Sequence, residues 1–356
     1  MAIIRSHTNI IIHIFWEFWR ESEKDHVTAL YYFPKLVLFS VLLSPAFPSN
    51  DPVLMKWDPE GLRYSYMEDD QGNAHLVDHW MKLSDVEKMA RYDPDRTNQY
   101  HLFTRANPSI SQPLVLNDAA RVIASNFNGR RRTIVLMHGF MGSITSGFNT
   151  VLVPAFLAAA DCNVIVLDWS SGSTWGPRAI QAGQAAGRFI NWLNFVTGST
   201  PNLYHIAGYS VGGHGAGIIA RTVNGNVGYV TGMDPAERWD ENFLFRPDDG
   251  LYTEVIHTST MGEERPMGQV DFYPNGGSNM PGCLTALCDH YRSYYYLGES
   301  LRTGGFTGRR CLNAQQAISG TCNQAGTLRM GGIEPKTGNT GIFHLTTNPL
   351  QPFSQG

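Results

Sequence analysis

The sequence predicts an α/β fold, a mostly parallel sheet covered by helices on both faces. Two observations carry this. From Tyr100 onward, near-continuous apolar runs rich in β-branched residues alternate with stretches of helical periodicity. Between one such run and the next helix stands Gly208-Tyr209-Ser210-Val211-Gly212, a serine enclosed by glycines where the chain must turn sharply. The chain has 356 residues, enough for one large domain or two modest ones. Apolar and charged residues make up 42% and 16%, which argues against long disorder. A net charge of −4 without a basic block argues against nucleic acid as a partner.

Taken in order, the first element is a leader, residues 1–50. Lys35 precedes Leu36 to Leu43, and Ser44-Pro45-Ala46 follows: a cation, an apolar segment of signal-peptide length, then small residues suited to cleavage. The segment is short for a membrane span and lies far from Met1. Either the region before it is unusually long, or the true start lies downstream of Met1. Secretion is expected, and with it disulfides. Residues 51–98 form a polar and aromatic extension to which the sequence assigns no chemistry. The catalytic domain is expected over 99–346, with a tail at 347–356.

Within that domain Thr133–Met137 reads as a strand ending in His138-Gly139-Phe140, and Asn163–Leu167 as one ending in Asp168-Trp169. A helix is expected between Gly176 and Asn194, where Ile180, Ala186, Phe189, Ile190 and Leu193 recur at helical spacing. Leu203–Ala207 enters the pentapeptide, and Gly213–Ala220 leaves it as a helix of small residues. Val227–Thr231 precedes Gly232-Met233-Asp234-Pro235, and Tyr252–Ile256 is closed by His257. In such sheets functional residues gather at the carboxyl ends of strands, which places His138, Ser210, Asp234 and His257 along one edge. Of five cysteines, 283 with 288 and 311 with 322 are close enough in sequence to pair, leaving Cys162 over.

A serine hydroxyl is a weak nucleophile until a base removes its proton and a third group holds that base. In α/β-hydrolases the partners follow the serine in the order acid, then histidine. Asp234, directly after an apolar stretch, is the best acid; a turn or capping role is its alternative. Asp168 is a rival by position but precedes the serine. For the base, His257, His290 and His344 all remain open. Cys288-Asp289-His290, read as a loop tied beside a cysteine, suits a base that must be held in place. The oxyanion would be met by the backbone N–H groups of Val211 and Phe140.

These segments, together with Val270-Asp271-Phe272-Tyr273-Pro274-Asn275-Gly276-Gly277, resemble the pancreatic-type lipases in residue and order from about Tyr100 to Cys322. The resemblance implies the triad Ser210, Asp234 and His290, an oxyanion hole of Phe140 and Val211, and no cofactor. Carboxylates that bind structural calcium in some relatives are only partly matched around Arg246 to Asp249, so no metal is expected. In the triacylglycerol lipases of the family a long lid separates two cysteines that resemble Cys283 and Cys288; here only Leu284 to Leu287 lie between them. The loop from Ser259 to Gln269 is short as well. Both features look like the phospholipase A1 branch, notably that of arthropods, and the C-terminal β-sandwich of pancreatic lipases is expected to be absent.

The expectation is a secreted, monomeric serine esterase that meets phospholipid at a membrane or micelle surface and cleaves the sn-1 acyl ester through an acyl-enzyme. A lipase for neutral glycerides or galactolipids is the alternative enzyme. A lipid-binding, yolk-protein-like member with weak catalysis is the alternative of another class.

Overall fold

The computed structural model describes residues 63–68, 74–78, 84–85, 92–174, 176–237 and 241–356. The expected leader and most of the 51–98 extension lie outside them. Two strands, β1 (Tyr64–Glu68) and β2 (Ala74–Asp78), form an antiparallel hairpin closed by an Arg63–Asp78 ion pair. The remaining strands are β3 (Gln99–Phe103), β4 (Gln112–Leu114), β5 (Thr133–Met137), β6 (Asn163–Asp168), β7 (Tyr204–Tyr209) and β8 (Tyr229–Met233). They continue with β9 (Thr253–Ile256), β10 (Val270–Pro274), β11 (Thr307–Cys311), β12 (Thr327–Arg329) and β13 (Gly341–Leu345). All eleven join one sheet, ordered β12-β11-β13-β10-β9-β8-β7-β5-β6-β3-β4.

The stretch from β6 to β13 is parallel throughout, and antiparallel strands close both edges. Strand side chains alternate between faces, and here both sets are apolar. Ile134 and Leu136 of β5 join one core with Val164 and Val166 of β6; Val135 and Met137 join the other with Ile165 and Leu167. The first core is covered by α1 (Gly147–Ala159) and α4 (Ala286–Thr303), the second by α2 (Arg178–Thr197) and α3 (Val211–Thr222). That double burial is why the strands read as unbroken apolar runs. The architecture is the α/β-hydrolase fold.

Two expectations shift. The strand before Asp234 runs Tyr229–Met233 rather than Val227–Thr231, because Gly232 and Met233 pair with Gly208 and Tyr209 of β7. His290 stands in helix α4, not in a loop: Thr285 caps the helix by accepting the Cys288 N–H at 3.2 Å, so it begins before the histidine. The expected disulfides, Cys283–Cys288 and Cys311–Cys322, are both present, and Cys162 is a buried free thiol that burial pushes up to about 11. The 347–356 segment lies against the domain: Glu299 accepts the N–H groups of Phe353 and Ser354 at 2.9 and 2.7 Å.

Candidate active site

Strand β7 delivers Ser210 at the point where the chain reverses into α3. Ser210 has φ 58° and ψ −128°, a conformation costly for a residue with a side chain. The surroundings enforce it. A Cβ on Gly208 would run into the Gly212 backbone, and one on Gly212 would strike the carbonyls of Met137 and His138. Only glycines let the turn close this tightly. The Ser210 N–H donates to Met233 O at 3.0 Å, fastening the turn to the end of β8, just before Asp234.

Asp234 follows β8 directly, fully buried, with φ 46°. Its Oδ1 accepts the N–H groups of Thr258 and Ser259 at 2.7 and 3.2 Å. Its Oδ2 accepts His290 Nδ1–H at 2.5 Å and the Ser259 hydroxyl at 2.5 Å. A donated Nδ1–H fixes the tautomer that leaves Nε2 unprotonated, as a general base requires. The His290 ring lies 4.6 Å from that of Tyr209, the residue before the serine. Sequence, sheet and helix thus bring Ser210, Asp234 and His290 to one place.

The rival residues are otherwise engaged. His257 uses both ring nitrogens, Nδ1 on Glu263 O at 2.7 Å and Nε2 on Asp271 Oδ1 at 3.0 Å, so neither can serve a serine. His344 sits within strand β13, its Nδ1 2.8 Å from Ala317 O. Burial pushes the Asp168 carboxyl up, but hydrogen bonds from His138 and Ser170 outweigh it and hold the group well below the usual carboxylate range. Asp168 also accepts the Ile144 N–H at 3.4 Å, which ties it to the loop after β5 rather than to His290.

That loop carries Phe140. A Cβ on Gly139 would come within 2.9 Å of the Ser210 Cβ, so the Phe140 peptide passes beside the serine. Helix α3 begins at Val211, whose N–H belongs to the first turn and has no intrahelical acceptor. His138 fixes the loop from below: it stacks on Trp169, whose indole N–H donates to His138 O at 3.0 Å.

Two participants escaped the sequence. The sequence marks Ser259 only as the start of a short loop, whereas its hydroxyl donates to the buried Asp234 carboxylate. His75, in the stretch assigned no chemistry, meets Phe140 edge-on with ring centroids 6.2 Å apart. Neither lies in a motif, and each makes its contact with a residue distant in sequence. Beside the site is a cavity of 190 Å³ lined by Thr260, Met280, Cys283, Leu284, Thr285 and Asp289 among others.

The family model described as Lipase matches residues 66–353. The chain is 33% identical over 262 residues to pancreatic lipase-related protein 2 of Cavia porcellus, covering 67% of this chain and 60% of that one. It is 30% identical over 339 residues to pancreatic triacylglycerol lipase of Equus caballus, covering 82% and 72%. To phospholipase A1 member A of Bos taurus it is 31% identical over 290 residues, covering 72% and 62%.

Proposed function

The chain belongs to the lipase family, and from that premise we propose that it is a secreted phospholipase A1. Ser210 Oγ attacks the sn-1 ester carbonyl while His290 Nε2 takes its proton. Asp234 holds the imidazolium that forms, and the amides of Phe140 and Val211 receive the oxyanion. The proton passes to the departing lysophospholipid alcohol, leaving an acyl group on Ser210. Water, activated by the same imidazole, then releases the fatty acid and restores the serine.

The observation that carries the choice of phospholipid is the length of the segment between Cys283 and helix α4, which is Leu284 and Thr285 alone. So short a segment leaves room at the cleft for a bulky polar head group. Secretion is supported by the two disulfides and the leader composition. The protein acts as a monomer on the lipid surface. A triacylglycerol lipase is the second reading, favoured by the 30% identity to the Equus caballus enzyme. Turnover of phosphatidylcholine against triolein, with Ser210→Ala as control, separates the two. Preference for phosphatidylcholine is expected; preference for triolein overturns the proposal.

A further inference from the structure

Ser259 stands where the catalytic pair is held, and its hydroxyl has a fixed polarity. The Met261 N–H donates to Ser259 Oγ at 3.1 Å, so the hydroxyl proton is free to point at Asp234 Oδ2, 2.5 Å away. That oxygen is the one that accepts from His290 Nδ1. Ser259 Oγ is also 3.3 Å from Nδ1, so carboxylate, imidazole and hydroxyl form a buried triangle. The loop wraps tightly: a Cβ on Gly262 would come 2.6 Å from Asp234 Cγ.

We propose that Ser259 is a positioning residue that moderates how strongly Asp234 binds the proton-bearing edge of His290. The inference rests on the reading of Ser210 and His290 as acyl-transfer machinery. A hydroxyl donated to a carboxylate oxygen spreads its charge and lowers its pull on a neighbouring imidazolium. Without it Asp234 becomes more basic, His290 keeps its proton to higher pH, and the neutral base is scarcer at neutral pH. The same hydroxyl stops the carboxylate from rotating away from Nδ1. Other titratable or charged groups around the pair are Tyr209 on β7, Asp289 and Arg292 on α4, and His257 with Asp271 across β9 and β10.

The test is the pH profile of fluorophosphonate labelling in the full chain, with Ser259→Ala and Ser259→Cys beside the unaltered protein. The His290 ring titration is followed by NMR in the same proteins and needs no turnover. In Ser259→Ala the acid limb and the ring titration should both move up by about half to one pH unit. Ser259→Cys keeps the volume with a weaker donor and should move them less. If the alanine variant does not fold, the cysteine variant carries the same test. An unlabelled wild-type protein would sink the functional reading while the ring titration still judges this one. A ring titration that does not move in either variant overturns the inference.

Discussion

At the level of single residues, two buried histidine–carboxylate pairs, His257 with Asp271 and His290 with Asp234, are told apart by hydrogen-bond accounting. His257 spends both nitrogens on Glu263 O and Asp271. His290 spends Nδ1 on Asp234, and its other nitrogen is the one a serine can use. Asp234→Asn should therefore lower kcat by about 10⁴, because the amide favours the wrong tautomer. Asp271→Ala should cost stability, since it removes the acceptor for His257 and for the Met267 and Gly268 N–H groups, but it should leave most of kcat. Steady-state rates of both purified variants, with circular dichroism as a check on folding, decide the matter. Equal losses would mean that the two pairs act as one unit.

At the level of elements, what the sequence disclosed depended on how local the cause was. Strand β5, bounded by Arg132 and His138, is legible because every side chain in it is buried and all but Thr133 are apolar. The elbow is legible because Gly208 is required by the Gly212 backbone four residues on, so the pattern is local even though Gly212 itself answers to the distant carbonyls of Met137 and His138. The apolar pattern places strand β8 two residues early because its ends are set by pairing with β7, which no local pattern reports. The sequence pattern suggests a loop at His290 because Thr285 as a cap is one threonine among many until its side chain meets the Cys288 N–H. The helix after the elbow hides a further consequence. His214 on α3 donates Nε2–H to Ala236 O at 2.8 Å and accepts the Phe245 N–H on Nδ1 at 3.1 Å, and burial lowers it from 6.5 to about 4. The folded state keeps it neutral while the unfolded chain protonates near 6.5. Its contribution is therefore complete above pH 6.5 and lost as pH falls toward 4, about 3 kcal/mol at most. Urea unfolding at several pH values should show this loss. In His214→Gln, stability at pH 7 should fall while its slope between pH 6.5 and 4 flattens by about one proton. An unchanged slope would contradict the assignment.

At the level of the whole molecule, the site lies at the carboxyl edge of a sheet buried on both faces, and among the described residues the loop between Cys283 and Cys288 offers it little cover. Leu284 is fully exposed at the tip of the Cys283–Cys288 loop, and the helix bearing His290 begins at Ala286. A lid that shields a cleft and opens at a lipid surface needs two states whose populations the surface shifts. A disulfide-closed loop of this length has no second state of that kind. Hydrolysis of a short-chain phosphatidylcholine should thus be measurable below its critical micelle concentration and rise without a jump across it. A steep onset at the micelle boundary would mean that another segment acts as a cover. The claim that most needs testing is the bond that is cut. The direct measurement is the identity of the fatty acid first released from a phosphatidylcholine with different chains at sn-1 and sn-2, with Ser210→Ala in parallel. Early release of the sn-1 chain, lost in Ser210→Ala by about 10⁶ in kcat, is the expected result; release of the sn-2 chain first, or of neither while triolein is hydrolysed, would contradict it.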